Sequence, residues 1–293
     1  MPIDRTAAET FIWSAARLVD RHRYAMLFAE GPADPVLAAL SGYRNLDGGF
    51  GHALEPDLRC PGSQPAATLQ ALEILHEAGR LDSEMARGAA AWIASIAAAD
   101  GGIPQALPDF ERYPHAPWWS SAPNSMLTFA TAGVLHAGAV TGDDWLERAT
   151  GWCWRAIDDV TDPAGYWLKF ACAFLDAVPD DRRARAAVGS LRPKVNPEAF
   201  APAGGAEGER LRALDISPRP GSRSRELFSD ADIAAHLDEV EAGQQADGGW
   251  MFDWLAWSPE QASAWRGIVT IRALTWLRDN GRLAQVSFKS SRP

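Results

Sequence analysis

The chain has 293 residues, 47% hydrophobic and 23% charged, with 38 acidic against 28 basic residues and a net charge of -10. The basic residues are scattered, with no Lys/Arg-rich block to neutralise phosphates, which argues against a nucleic-acid partner. Three cysteines without close pairs argue against a disulfide framework or a CxxC zinc site, and no stretch approaches the ~18 apolar residues of a membrane span. With no basic region and apolar run at the start, a cytoplasmic protein without a membrane span is expected.

Residues 6–21 place Phe11, Ala15, Leu18 and Val19 on one side of a helix with Thr6 as its cap, expected to pack against the end of the chain. Gly31-Pro32 separates it from a shorter helix at about 34–43, which leads into Asp47-Gly48-Gly49-Phe50. The loop from there to Gln64 holds His52, Glu55, Asp57, Arg59 and Cys60. Segment 64–79 is apolar on most of its circumference, so it is buried on more than one side, whereas 82–98 keeps Met85, Ala89, Trp92, Ile93 and Ile96 on one face. A second turn, Asp100-Gly101-Gly102-Ile103, opens a loop with Asp109, Glu111, Trp118 and Trp119. An apolar helix at 123–137 and a one-faced helix at 143–160 follow, then a degenerate turn at Asp162–Trp167 and an apolar helix at 166–178. Pro, Gly and Arg break the rhythm at 191–228, predicted as a long loop or decayed hairpin. A helix at 229–245, capped by Ser229, reaches the third turn, Asp247-Gly248-Gly249-Trp250, and a last apolar helix at about 261–279.

Buried inner and half-exposed outer helices therefore alternate. From Asp100 to Asp247 is 147 residues, three times 49 and close to the 53 between Asp47 and Asp100, so one helical hairpin has been copied several times. The predicted architecture is all-α: an α/α toroid of five or six hairpins forming one domain over 1–293. The 13 tryptophans, about three times ordinary usage, exceed what the turns need.

The third copy, QQADGGWMF at 244–252, carries a Gln-x-x-Gly-x-Trp skeleton at Gln245, Gly248 and Trp250 that resembles the repeat of squalene and terpenoid cyclases. DGGFG followed by an inner helix resembles the β subunit of protein prenyltransferases, which shares the α/α toroid. The resemblance covers most of the chain as a hairpin pattern and implies an isoprenoid or similarly apolar substrate. Its chemical motifs are not intact. Prenyltransferase zinc is held by an Asp and a Cys two positions apart plus a later inner-helix His; here Asp57 and Cys60 are three apart and His236 falls in an outer helix. Asp57, Cys60, His52 and His115 are the residues left to meet at the mouth. Class II cyclases protonate with the middle Asp of Asp-x-Asp-Asp; Asp230-Ala231-Asp232-Ile233 lacks the last Asp and reads as a helix cap. Asp158-Asp159-Val160-Thr161-Asp162 matches the magnesium motif of class I terpene synthases, but Asp162 belongs to the degenerate turn. No metal site and no cofactor are expected, with Mg and Zn left open.

Parallel hairpins gather the post-turn loops at one mouth, beside inner-helix N-termini suited to an anion. An aromatic cavity holding one desolvated carboxylic acid suits carbocation chemistry, because burial keeps the acid protonated while ring faces stabilise the cation. Asp57 and Asp253 are the leading candidates for that acid, with Asp109 and Glu55 as further carboxylates. His52, Arg59, Trp118, Trp119, Tyr166, Trp254, Trp257 and Arg266 are the candidate substrate-contacting residues. Two other classes stay open: a glycoside hydrolase or polysaccharide lyase, with Asp57 or Asp109 facing Asp253 across the scissile bond, and a non-catalytic toroid binding a lipid or a protein. The oligomeric state is not legible.

Overall fold

The two residues Ala16 and Arg17 adopt extended backbone (ψ 158° and 156°), so the opening segment expected as one helix is two, α1 (Arg5–Ala15) and α2 (Leu18–Phe28). That break makes the first hairpin. A computed structural model describes residues 3–138, 144–195 and 209–283. The remaining helices are α3 (Asp34–Ser41), α4 (Pro65–Glu77), α5 (Glu84–Ile96), α6 (Leu127–Ala137), α7 (Asp144–Asp159), α8 (Gly165–Ala177), α9 (Asp181–Leu191), α10 (Ala213–Ile216), α11 (Asp230–Ala242) and α12 (Pro259–Asp279).

Odd-numbered helices form the outer layer and even-numbered helices the inner one. Around the inner ring, α4 packs on α6, α6 on α8 and α8 on α10; α11 joins α10 to α12, and α12 packs on α2. The Arg23–Glu77 ion pair, 2.7 Å, ties α2 to α4. The fold is thus an α/α toroid of six hairpins. Layering follows from composition: every residue of α6 from Leu127 to Leu135 is buried, while α7 buries Trp145, Leu146, Ala149, Cys153, Trp154 and Ile157 as one stripe.

The predicted break at 191–228 holds the short inner half of a compressed fifth hairpin whose outer helix precedes it. Its outer helix α9 starts where the Asp180 carboxylate accepts the Arg183 N–H at 3.0 Å, and it buries Ala184, Val188 and Leu191. Its inner partner α10 is a single helical turn, followed by a 3-10 turn at Arg223–Leu227. Residues 196–208 of that break and the polar tail beyond 283 lie outside the described residues.

The three Asp-Gly-Gly turns share one hydrogen-bond plan. Asp47, Asp100 and Asp247 each accept from the N–H of the second glycine at 3.0–3.1 Å. The next residue, Phe50, Ile103 or Trp250, donates its backbone N–H at 3.0 Å to the hydroxyl of Thr68, Thr128 or Thr270 on the following inner helix. The first glycine holds φ of 92–95°, where L side chains are strained, and lies against the backbone of the next outer helix. Gly48 meets Gly88 of α5, Gly101 meets Arg148 and Ala149 of α7, and Gly248 meets Ala7 and Ala8 of α1. The third turn therefore closes the ring onto the first helix. Gln244 reinforces the seam, accepting the Asp4 N–H at 2.9 Å and donating to the Asp4 carbonyl at 2.8 Å. Among the described residues no helix is long and apolar enough to cross a membrane.

Candidate active site

Loop 52–63, which follows the first turn, is held by backbone pairing rather than by helix. His52 N–H donates to the Cys60 carbonyl at 2.9 Å, Arg59 N–H to Pro114 at 3.1 Å, and Ala116 N–H to the Asp57 carbonyl at 2.9 Å. The first and second post-turn loops are thus stitched together, and the stitch delivers the Asp57 side chain to the start of α12. There it is buried, with 3% of its surface exposed. One carboxylate oxygen accepts from Trp257 Nε1 at 3.0 Å and Gln261 Nε2 at 2.7 Å, the other from Trp265 Nε1 at 2.9 Å. Gln261 Nε2 also donates to the Leu255 carbonyl at 3.2 Å, which fixes the amide with its nitrogen toward Asp57. Burial pushes the Asp57 carboxyl up, and the Trp257, Gln261 and Trp265 donors pull against it. With N–H donors on both oxygens, the arrangement holds an anion.

Glu55 sits two residues away and accepts the Asp57 backbone N–H at 3.2 Å. Burial, reinforced by the Asp57 charge, pushes its carboxyl up to about 8, against the smaller opposing pull of that N–H and of Arg17. Arg17 is otherwise engaged, pairing with Asp20 at 2.7 Å and donating to the Leu54 carbonyl at 2.7 Å. Glu55 is only partly buried by surface yet strongly desolvated, and the charge of Glu73 on α4 adds to the upward push. The result is a pair in which both carboxyls are raised: Glu55 holds its proton up to about 8, while the three N–H groups favour the charged form of Asp57 against its burial. Because the unfolded chain releases this proton near the ordinary 4.5 and the folded chain holds it to about 8, folding stability is expected to fall as pH rises through that window and to level off above it. Urea midpoints taken at about pH 5 and about pH 8 check this, and Glu55→Gln should flatten the slope.

The aromatic wall beside the pair comes from the third post-turn loop and α12. Trp254 meets Trp265 edge-to-face at 4.9 Å and Phe252 at 4.8 Å. The Trp254 indole N–H is buried with no hydrogen-bond partner.

Other predicted site residues lie apart from this pair. Asp109 is exposed and accepts from Gln64 Nε2 at 2.8 Å and from the Cys60 thiol at 3.5 Å, clamping its own loop. Asp253 is exposed and accepts the Arg210 N–H at 3.2 Å. His52 is exposed and bonded to Asn45 at 3.0 Å, and Arg59 is placed through its backbone on Pro114. Trp118 takes part through its carbonyl, which accepts from Gln105, while Trp119 packs against the core with its own N–H buried and unpartnered. Tyr166 donates its hydroxyl to Glu209 at 2.5 Å. Arg266 stands not at the mouth but in the ring-closing turn, bidentate on Asp247 with both contacts at 2.8 Å and lying 4.5 Å over the Phe11 ring. Asp232 closes a capping box with Ser229, and Asp158 pairs with Arg183 at 3.0 Å. Among the described residues no three His, Cys, Asp or Glu side chains group to hold a metal ion; the ring of His115 is bonded to the Tyr113 carbonyl at 2.7 Å.

The inner wall is less apolar than the inner-helix sequences predict. Glu73 of α4 keeps exposed surface although burial raises its carboxyl. Lys169 of α8 and Arg23 of the neighbouring α2 both favour its charged form. Arg272 of α12 and Asp215 of α10 act in turn on Lys169. Five of the six inner helices thus carry charged side chains, Arg23, Glu73, Lys169, Asp215 and Arg272 among them, whereas α6 has no Asp, Glu, Lys or Arg.

The sequence matches no protein-family model and no curated protein. Among solved structures the chain is similar to a protein from Actinoplanes, at 18% identity and TM-score 0.54, over 94% of this chain and 89% of that one. It is also similar to a variant of the type II terpene cyclase MstE from Scytonema without ligand, at 13% identity and TM-score 0.57, over 93% and 95% of the two chains. A third similar structure is MstE in complex with geranylgeranyl dihydroxybenzoate, its substrate, at 14% identity and TM-score 0.52, over 95% and 96%. At such identities the likeness is one of fold: this chain has the α/α toroid of the type II terpene cyclases.

Proposed function

We propose that the chain is a terpene-cyclase-like enzyme that rearranges an isoprenoid-bearing substrate by protonation, with Glu55 as the proton donor. The observation that carries this reading is the Glu55–Asp57 pair, an acid that holds its proton up to about 8 beside a carboxyl that accepts from three N–H groups. Glu55 gives its proton to a terminal alkene carbon; a C–H bond forms, the π bond breaks, and the positive charge rests on the neighbouring tertiary carbon. An internal double bond then attacks that carbon, and loss of a proton to a base ends the sequence, leaving an isomer of the substrate. Glu55 regains a proton from solvent. Asp57 acts through Glu55, since its charge favours the protonated acid. Trp254, Trp257 and Trp265 supply ring faces to the developing cation, and indole N–H groups spent on Asp57 are not available as hydrogen-bond donors to water near it.

The MstE likeness supports an isoprenoid chain on a polar head, geranylgeranyl dihydroxybenzoate being the substrate held in that structure. The experiment is incubation of the purified protein with geranylgeranyl dihydroxybenzoate and with geranylgeraniol, followed by mass spectrometry for products of unchanged mass with fewer double bonds. Glu55→Gln should lower turnover by about 10²- to 10⁴-fold while leaving substrate binding in place. Full turnover in that variant, or no isomer from either substrate, would remove the proposal. The charges of Glu73, Lys169 and Arg272 favour a second reading, a carbohydrate-active toroid in which tryptophan faces stack on sugar rings. Release of reducing or unsaturated sugar ends would select it.

A further inference from the structure

Two cations of the inner helices have aromatic neighbours but, among the described residues, no ion-pair partner. Lys169 Nζ lies 5.3 Å over the Tyr166 ring and 5.9 Å over Phe170, all three on α8. The Arg272 guanidinium of α12 lies 5.0 Å over Trp276 and 5.9 Å over Trp254, the same Trp254 that packs on Trp265 beside Asp57. Among the described residues, neither makes a hydrogen bond or has a carboxylate within ion-pair distance, whereas Arg23 of α2 is met by Asp20 at 3.0 Å and Glu77 at 2.7 Å. The nearby acids have other engagements: Glu209 accepts the Tyr166 hydroxyl, and Asp215 accepts the Arg212 N–H at 2.9 Å. Glu73, on α4, is held toward its neutral form by burial. Burial and the Arg272 charge both work against the Lys169 ammonium, with Asp215, Glu73 and Glu209 opposing them from beyond ion-pair distance; a bound anion would add the close partner that neither cation has.

We propose that Lys169 and Arg272 form the head-group subsite of the lumen, taking a carboxylate or phosphate at one end of an amphiphilic ligand whose apolar part lies along Trp254 and Trp265 toward Glu55. The planar fork of Arg272 suits a two-oxygen acceptor, with Lys169 as the point charge beside it. The subsite deepens the isoprenoid reading and rests on it for the tail alone; the head requires only the two cations.

Quenching of tryptophan fluorescence in the full chain tests this with four probes: a geranylgeranyl carboxylate, geranylgeranyl phosphate, geranylgeraniol and benzoate. The wild type should bind at least one of the two anionic prenyl probes about ten- to a hundredfold more tightly than the alcohol, and which of the two identifies the head. Arg272→Gln and Lys169→Met should each erase that preference without weakening the alcohol, and Lys169→Arg should keep it. Equal binding of anion and alcohol by the wild type, as when Lys169 closes on Glu73, overturns the proposal, and so does loss of both probes alike in well-folded variants. Binding of benzoate by the wild type but not by Arg272→Gln, with no prenyl probe bound, keeps the subsite and removes the isoprenoid reading. Silence from all four probes overturns the subsite. The wild-type comparison needs no variant to fold.

Discussion

Asp57→Ala is expected to cost about 3–5 kcal/mol of folding stability, a large part of the roughly 5–15 kcal/mol that holds a domain together. The reason is what stays behind. Trp257, Gln261 and Trp265 come from the third post-turn loop and α12, while Asp57 comes from the first loop, so one carboxylate joins segments 200 to 208 residues apart. Its removal leaves three N–H groups without their acceptor in a site where Asp57 itself is 3% exposed, and unmade buried hydrogen bonds cost about 1–3 kcal/mol each. Asp57→Asn retains one acceptor oxygen but turns an amide nitrogen toward an N–H donor, so a smaller loss of about 2 kcal/mol is expected. It also takes away the charge that helps to keep Glu55 protonated, and the fall in stability between pH 5 and pH 8 should shrink with it. Urea denaturation followed through tryptophan emission measures both effects. An alanine variant within about 1 kcal/mol of wild type would show that the cradle is not a structural tie.

Gly248→Ala should be the most damaging single methyl in the chain's turns. A Cβ there would lie 2.2 Å from the carbonyl carbon and oxygen of Ala7 and 2.7 Å from the Ala8 nitrogen, all backbone atoms that cannot swing aside. The backbone at φ 92° is strained for alanine as well. Relief requires α1 to move off the third turn, taking with it the Gln244–Asp4 pair and the contact of Gly249 with Phe11. We expect a loss of about 4 kcal/mol or more, seen as a fall in the thermal midpoint by circular dichroism. Gly281→Ala is the matched control: its φ is 74°, but no atom lies within 4 Å of the added methyl, so it carries the backbone cost without the clash. Similar losses in the two variants would place the whole effect in backbone strain and none in the seam.

The layering was legible because it is local. Capping residues, the Asp-Gly-Gly turns and the contrast between all-round and one-sided apolar helices each act within a few residues, and they predict α3 to α8, α11 and α12 to within a few positions. The break between α1 and α2 carries no Gly or Pro; its trace in the sequence is the spacing Arg17, Asp20, Arg23, which sets two arginines around one buried aspartate at the head of α2. The helix α9 escaped because DRRARAAVGSL looks polar, although Asp180 caps it and Ala184, Val188 and Leu191 recur at helical spacing.

At the site, sequence supplied the loop acids and tryptophans but not their pairing. Gln261 had no signal at all, since its partner is 204 residues away. Asp57 and Glu55 looked alike as loop carboxylates and differ only through their neighbours: three N–H groups for one, burial and an adjacent anion for the other. The lumen charges had a signal of a kind. Glu73 and Lys169 are isolated charges in otherwise apolar helices, and such a residue must point either out of the protein or into its hollow.

The seam between the third turn and α1 also sets an order of assembly. The Gly248 and Gly249 backbone that covers Ala7, Ala8 and Phe11 is made some 240 residues after them. At about 5–20 residues per second, α1 waits tens of seconds with its apolar stripe uncovered. Hairpins two to five can stack on their neighbours as they emerge, through contacts close in sequence. The ring therefore grows as an open arc during synthesis: the first hairpin meets the second early, through the Arg23–Glu77 pair, and meets the sixth only when the third turn is made.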